Sequence, residues 1–183
     1  MRIVSGHLGG RKLEVPKGRD IRPTGDKIRG AMFNALRSRG AVEGTQVLDA
    51  FCGTGALGLE ALSQGAKECT FMDKSPDSLA LAKRNAENMR VLGEVRFIRK
   101  EAKKTGARPE DIPPAGLVFL DPPYAKGLIV PALEALYASG WIAQGAWVVC
   151  ESEKAFNGAL PTFCTLDHEK TYGDTKVIFA KTS

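Results

Sequence analysis

Acidic residues follow three apolar segments of this sequence, and their side chains are the best placed to do chemistry. Asp49 follows "QVL", Asp73 follows "TFM" and Asp121 follows "VFL". If these segments are parallel strands, their carboxyl ends meet at one edge of a sheet, where open α/β sheets bind ligands. Carboxylates accept hydrogen bonds and attract cations, so this edge is predicted to bind hydroxyl, amine or cationic groups.

Three glycines lie between the first of these acidic residues and a helical segment. Gly53, Gly55 and Gly58 have the G-x-G-x-x-G spacing, which predicts a nucleotide-like cofactor between a strand and a helix. Asp73 lies where ribose hydroxyls are bound, in proteins that use NAD or S-adenosylmethionine (SAM) alike. Asp49 favours SAM, because a carboxylate attracts an ammonium or sulfonium group and repels a pyrophosphate.

Asp121 opens the stretch Asp-Pro-Pro-Tyr, which could activate an aromatic amine. The lone pair of such an amine is delocalised into its ring, so a catalyst must hold both N–H bonds. The Asp121 carboxylate can accept one and the Pro122 carbonyl the other, while the prolines restrict the backbone. Tyr124 offers a flat face for a flipped base, a contact worth roughly 1–3 kcal/mol. Taken alone, however, the stretch is better explained as a rigid turn at a strand end.

The elements that position these residues follow from an alternating pattern. Strands are predicted in "QVLDA", "CTFMD", "EVRFIR", "GLVFLD" and "AWVVCE", and helices in "ALGLEALSQG", "SPDSLALAKRNAENMRVLG" and "IVPALEALYASG". The alternation predicts a mostly parallel α/β sheet with helices on both faces. The final runs "CTLDHEKTY" and "TKVIFAK" predict a hairpin that adds an antiparallel strand. Ser75 is a predicted N-cap, and Gly65 and Gly93 are predicted helix stops.

The first 40 residues differ from the rest of the chain in charge. They carry ten basic and three acidic residues, a net +7, whereas the whole chain has a formal charge of +5. Residues 1–22 are predicted as a basic β-hairpin extension, with extended segments Arg2–Ser5 and Arg11–Val15. Residues 23–183 form the main domain, opened by a helix from Thr24 to Gly40. The charge predicts contact with a polyanion such as RNA, or else a solvated basic surface.

Composition excludes several classes of protein. The 183 residues are 43% hydrophobic without an apolar run long enough to span a bilayer, so no membrane role is predicted. The N-terminus lacks the apolar stretch of a secretory signal, which predicts a cytoplasmic protein. The four cysteines are widely spaced and the two histidines, His7 and His168, have no spaced partners. Neither a metal site nor a catalytic triad is therefore predicted.

The motifs "DAFCGTG" and "DKS" resemble those of class I SAM-dependent methyltransferases. The resemblance implies a Rossmann-like sheet of seven strands and SAM as the cofactor. In that family the third strand is followed by a residue pair at the adenine, and Glu101-Ala102 occupies this place; a solvated charge run is the competing interpretation. The implied cofactor-binding residues are Asp49, Phe51, Gly53, Gly55, Asp73, Lys74, Glu101 and Ala102.

"DPPY" resembles the signature of amino-methyltransferases, which implies catalytic roles for Asp121, Pro122 and Tyr124. Together with "RIVSGHLGGRKLEVP", "RPTGDKIRGAMFNAL" and "YGDTKVIFAK", it resembles the bacterial enzymes that methylate the exocyclic N2 of a guanine in 16S ribosomal RNA. That family commonly has glutamate where this chain has Gly30. The implied partner is ribosomal RNA, free or within a small-subunit assembly intermediate, and the expected state is a monomer. The candidate RNA contacts are Arg2, Arg11, Lys12, Arg22 and Thr24, of which Thr24 is also a candidate contact to the methionine carboxylate.

Other functions explain fewer of these features. An adenine-N6 methyltransferase acting on DNA or RNA shares "DPPY", although the chain has no room for a separate target-recognition region. An NAD-dependent Rossmann oxidoreductase would explain the glycines and Asp73, but neither "DPPY" nor Asp49. A non-catalytic RNA-binding module would explain only the basic N-terminal part.

Overall fold

The computed structural model describes residues 1–18 and 24–183, and it contains an ordered α/β domain. The helices are α1 (Thr24–Ser38), α2 (Ala56–Ser63), α3 (Pro76–Asn88) and α4 (Ile129–Ala138). The strands are β1 (Gln46–Asp49), β2 (Glu68–Asp73), β3 (Val95–Arg99), β4 (Ala115–Leu120), β5 (Ile142–Glu153), β6 (Cys164–Tyr172) and β7 (Thr175–Thr182). None of the helices in the described part of the chain is long and apolar enough to cross a membrane.

The seven strands form one sheet in the order β3-β2-β1-β4-β5-β7-β6. β1 to β5 pair in parallel, whereas β7 runs antiparallel between β5 and β6. The predicted Rossmann-like sheet with an antiparallel strand near its C-terminal edge is confirmed. The strand order reverses between β1 and β4, and a crevice forms outside the carboxyl ends of strands at such a point.

Alternating side chains of the strands pack on opposite faces of the sheet, because successive residues of a strand point to opposite sides. In β4, Leu117 and Phe119 join the core under α1, α2 and α3, whereas Val118 and Leu120 join the core under α4. All four are fully buried. The prediction of helices on both faces is confirmed, and the two cores fix the ends of β1 and β4 at the crevice.

Two helices end at glycines as predicted, and one does not. Gly40 follows α1 and Gly65 follows α2, both with positive φ. The predicted stop at Gly93 is wrong, since α3 ends at Asn88 and Arg90 takes the left-handed conformation, with φ of 59°. The two residues after the helix cap donate backbone hydrogen bonds to its last turn, which closes a Schellman motif without glycine.

The N-terminal segment forms less β-structure than predicted. Its extended segments are joined by a single antiparallel bridge between Arg2 and Lys12. Three apolar side chains of this segment, Ile3, Leu8 and Leu13, are buried in the same core as α1, α2 and α3. The segment therefore packs onto the sheet domain along its length. The predicted division between residues 22 and 23 lies outside the described residues and stays a prediction.

A buried glutamate of α2 explains why the hairpin is short. The Glu60 carboxylate, with no exposed surface, accepts hydrogen bonds from the backbone N–H of Val4 at 2.9 Å and of Ser5 at 3.0 Å. Arg29 of α1 completes the cluster with an ion pair to Glu60 at 3.3 Å. The N–H groups of Val4 and Ser5 therefore bind Glu60 of α2 and do not pair with the second extended segment. A Cβ at Gly30 would lie 3.3 Å from Cγ1 of Val4, a tight contact between α1 and the N-terminal segment.

Candidate active site

A cleft of about 820 Å³ opens at the carboxyl ends of β1, β2, β4 and β5. Its wall is completed by the first turns of α1 and by the glycine loop before α2. Most predicted site residues line it, namely Phe51, Gly53, Asp73, Lys74, Glu101, Ala102, Asp121, Pro122 and Tyr124. Asp49 and Gly55 lie behind this surface. The structure therefore brings the predicted cofactor and catalytic residues to one cavity.

The Asp73 carboxylate is fixed by two backbone amides at the end of β2. Oδ2 accepts a hydrogen bond from the N–H of Gly53 at 3.1 Å, and Oδ1 accepts one from the N–H of Ser75 at 2.9 Å. Ser75 is the N-cap of α3 as predicted, because its hydroxyl accepts from the N–H of Ser78. Each carboxylate oxygen retains a lone pair for a ligand. Asp73 is thus a preoriented acceptor on the cleft wall.

Asp49 lies beneath the glycine loop and is only 1% exposed. Its Oδ2 accepts a hydrogen bond from the N–H of Gly58 at 3.1 Å, and its Oδ1 has no donor among the described residues. Burial raises the pKa of Asp49 to about 7, an effect opposed by the Gly58 hydrogen bond and reinforced by the charge of Asp73. A cation in the cleft would relieve this unfavourable charge.

The glycines of the loop have different structural roles. Gly53 takes a φ of +52° and has open space where a Cβ would be, so its backbone can approach a ligand. Gly58 serves packing, since a Cβ there would lie 2.4 Å from the Phe71 ring and 2.6 Å from the Cys69 sulfur. Of these two glycines of the motif, Gly53 therefore leaves room for a ligand, and Gly58 allows α2 to pack closely on β2.

The hydrogen bonds of this loop fit SAM better than a dinucleotide. The N–H groups of Gly53 and Gly58 donate to the carboxylates of Asp73 and Asp49, and that of Ala56 donates to the Thr54 hydroxyl. A pyrophosphate would need such amides as donors, and here they are engaged beside negative charge. A cofactor with cationic groups and ribose hydroxyls fits the residues that are present.

Asp121 and Glu151 form the other end of the cleft. Leu120 and Cys150 are the last residues that pair β4 with β5, and each is followed by one of the two acids. Both acids line the cavity. Burial, then the charges of Glu151 and Asp49, hold the pKa of Asp121 well above its usual range. Glu151 was missed in the sequence, although the signal that located the other acids, a carboxylate at a strand's carboxyl end, applies to it as well.

The residues after Asp121 form a fixed turn. Pro122 is buried and Tyr124 is half-buried on the cleft wall. The Tyr124 hydroxyl lies 2.8 Å from Oγ1 of Thr175, at the start of β7. Ala125 takes a positive φ of 59°, which turns the chain toward α4. The terminal hairpin thus supports the aromatic ring that sequence reasoning assigned to base stacking.

The predicted adenine pair and Lys74 lie on the β2–β3 side of the cleft. Ala102 is buried, and the Glu101 carboxylate lies 3.5 Å from Nζ of Lys103. Lys74 and Lys126 also line the cavity. Lys126 has no counterpart in the sequence predictions, because no motif distinguishes it. The cleft is therefore lined by side chains of both charges.

The candidate RNA contacts are only partly described. Arg2, Arg11 and Lys12 are exposed on the N-terminal segment, and Met1 at its start lines the cleft. Arg22 lies outside the described residues. Thr24 is the first residue of α1, and its side chain is likewise not described. Arg11 donates to the carbonyl of Met89, the C-cap of α3, and of the described residues of this segment Met1 alone reaches the cleft.

Comparisons with known proteins give the same class. Residues 1–181 match the family described as conserved hypothetical protein 95. Ribosomal RNA small subunit methyltransferase D of Escherichia coli (strain K12) is 36% identical over 94% of this chain and 85% of that protein. Its namesake in Haemophilus influenzae is 33% identical over 94% and 89% of the two chains.

Solved structures agree in fold. The methyltransferase yhhF from Escherichia coli has a TM-score of 0.84 and 32% identity, covering 100% of this chain and 98% of that one. The methylase HI0767 from Haemophilus influenzae has a TM-score of 0.81 and 30% identity, covering 99% and 97%. Fold and cleft together define a SAM-dependent methyltransferase with a Rossmann-like sheet, as predicted. Within that class, the chain belongs to the ribosomal RNA small subunit methyltransferase D family.

Proposed function

We propose that this protein methylates the exocyclic N2 amine of a guanine in 16S ribosomal RNA, with SAM as methyl donor. The observation that carries the proposal is the single cleft that joins the glycine loop and Asp73 to Asp121, Pro122 and Tyr124. The relatives named ribosomal RNA small subunit methyltransferase D support the choice of substrate. The cytoplasm, where ribosomal subunits are built, is the corresponding place of action.

The cofactor half of the cleft has the polarity that SAM requires. Asp73 is oriented for ribose hydroxyls by two backbone amides, and Gly53 exposes backbone beside it. Phe51, Lys74 and the Glu101-Ala102 pair complete the surface for the nucleoside. Asp49 acts from behind the loop through its charge. SAM bound here supplies an electrophilic methyl group, whose bond to sulfur breaks with both electrons returning to sulfur.

Residues of the other half orient and activate the base. Asp121 accepts one hydrogen of the N2 amine and the Pro122 carbonyl accepts the other, which directs the nitrogen lone pair toward the methyl carbon. As the N–C bond forms, the nitrogen becomes positively charged and must lose a proton. The raised pKa of Asp121 suits that carboxylate to receive it. Tyr124 stacks on the base that has left its helix.

The N-terminal segment supplies contacts to RNA in this proposal. Arg2, Arg11 and Lys12 are exposed on a segment whose first residue lines the cleft, and they would contact RNA phosphates outside the cleft. Arg22 and Thr24 extend this surface in sequence. A monomer suffices, since one chain carries the cleft and the basic surface. The RNA is bound free or within a small-subunit assembly intermediate.

Methyl transfer from labelled SAM identifies the substrate. Naked 16S ribosomal RNA, assembled small subunits and duplex DNA from cells that lack the modification would be compared, followed by nucleoside analysis of the product. We expect N2-methylguanosine in one of the two ribosomal substrates. N6-methyladenosine, or methylated DNA alone, would overturn the proposal.

A further inference from the structure

A guanine presents more than its amine to the cleft. Its Watson–Crick edge carries the N2 amine beside an N1–H donor, whereas adenine carries an N6 amine beside an N1 acceptor. Asp121 and the Pro122 carbonyl can engage an amine of either base. An enzyme that selects guanine therefore needs a further group that hydrogen-bonds to the neighbouring ring nitrogen. A base that leaves polar groups of the site unpaired is strongly disfavoured.

Glu151 is placed to be that group. It follows Cys150 in β5, whose partner Leu120 ends β4 and is followed by Asp121, so the two acids are adjacent. Neighbouring strands lie about 4.8 Å apart, and residues at matching positions of parallel strands point to the same face. Side chains at such positions can contact one ligand together, so two carboxylates can meet the edge of one purine. Both line the same cleft beside Tyr124.

Electrostatics within the cleft supports this pairing. The charge of Glu151 acts on Asp121 more strongly than that of Asp49. Two adjacent carboxylates attract hydrogen-bond donors that lie between them. The N1–H and N2–H groups of guanine are two such donors on one edge. Adenine supplies a single amine and sets a lone pair against the second carboxylate.

We propose that Glu151 accepts the N1–H of the target guanine and so selects guanine over bases with an unprotonated N1. This inference rests on the proposed function and names the residue that gives it base specificity. Glu151 is a specificity residue in this scheme, while Asp121 and Pro122 hold the reacting amine. Glutamine at this position would retain the shape of the side chain but could donate to an N1 acceptor.

The test uses small-subunit RNA that carries guanine, 2-aminopurine or 2,6-diaminopurine at the target position. All three bases have a 2-amino group, but only guanine has N1–H. The wild-type enzyme is compared with Glu151→Gln and, as a matched control, Glu134→Gln, which removes an exposed acid of α4. SAM affinity and thermal unfolding of each variant are measured separately.

We expect wild type and Glu134→Gln to prefer guanine, and Glu151→Gln to lose roughly 10- to 100-fold in kcat/KM for guanine while keeping its rate on the other bases. SAM affinity should stay within about twofold in every variant, because Glu151 does not hold the cofactor in this scheme. An unchanged preference for guanine in Glu151→Gln, or equal losses on all three bases, would overturn the assignment. Absence of guanine methylation by the wild-type enzyme would instead count against the proposed function.

Discussion

The two halves of the cleft differ in the surroundings of their carboxylates. On the β1–β2 side, Asp49 and Asp73 together accept three backbone N–H groups, although burial still raises the pKa of Asp49 to about 7. On the β4–β5 side, Asp121 and Glu151 lie beside each other and burial raises the pKa of Asp121. The backbone amides orient the first pair before any substrate arrives. In the proposed function the second pair meets the base, where methyl transfer and base selection take place.

The largest expected effect is the loss of turnover on substitution of Asp121. Asp121→Asn keeps the size of the side chain but removes its charge and its capacity to take a proton. We expect kcat to fall about 100- to 1000-fold, with SAM affinity unchanged within about twofold. Single-turnover methylation and calorimetric SAM titration measure the two quantities. A large loss of SAM affinity with normal kcat would mean that the two halves of the cleft do not divide binding and chemistry in this way.

The opposite result is expected for Asp73, namely a loss of SAM affinity with little change in turnover. In Asp73→Asn one side-chain oxygen becomes an NH₂ group, which faces the N–H of either Gly53 or Ser75 and disrupts the loop. SAM affinity should fall roughly 10- to 100-fold, with a much smaller effect on kcat at saturating SAM.

Asp77→Asn is the matched control for this variant, since it removes an exposed acid from the first turn of the same helix, α3. Normal SAM affinity in Asp73→Asn would show that the ribose is bound elsewhere.

Most of the acidic residues in the two halves of the cleft could be predicted from the sequence. Asp49, Asp73 and Asp121 could be located because each directly follows an apolar strand. Apolar strands and the glycine loop are local patterns that can be recognised in the sequence alone. The same pattern also applied to Glu151, yet no motif drew attention to it. Its importance arises from the pairing of β4 with β5, a contact between segments that lie far apart in the chain.

Other features depended on tertiary contacts that no local pattern contains. Glu60 appears in the sequence as an ordinary helix glutamate, but it is buried and binds the N-terminal amides and Arg29. Gly93 had the sequence signature of a helix stop, whereas Arg90 ends the helix because the next side chain is buried in the core. Where a buried partner competes with local propensity, packing decides the structure.

A smaller effect is expected in the pH dependence of SAM affinity. With a pKa of about 7, Asp49 is mostly protonated at pH 5.5 and mostly ionised at pH 7.5. Its negative charge attracts a sulfonium only when ionised, so SAM affinity should rise about tenfold as the pH increases through this range.

Asp49→Asn should flatten this dependence, because asparagine can still accept from Gly58 but does not titrate. S-adenosylhomocysteine, which lacks the sulfonium, is the control ligand. An equal pH dependence for both ligands would assign the titration to another group.

The smallest effect is expected on loss of the hydroxyl of Tyr124, the aromatic residue that borders the β4–β5 half. Tyr124→Phe removes the hydroxyl that contacts Thr175 but keeps the stacking face, so KM for RNA should change less than about threefold. Tyr124→Ala removes the face itself and should raise KM roughly 5- to 100-fold. Tyr137→Phe, which alters a tyrosine stacked on Phe163 outside the cleft, is the control and should leave KM unchanged. If phenylalanine and alanine at position 124 had equal effects, the hydroxyl rather than the ring would be the substrate contact, and the β4–β5 half would recognise the base by hydrogen bonds alone.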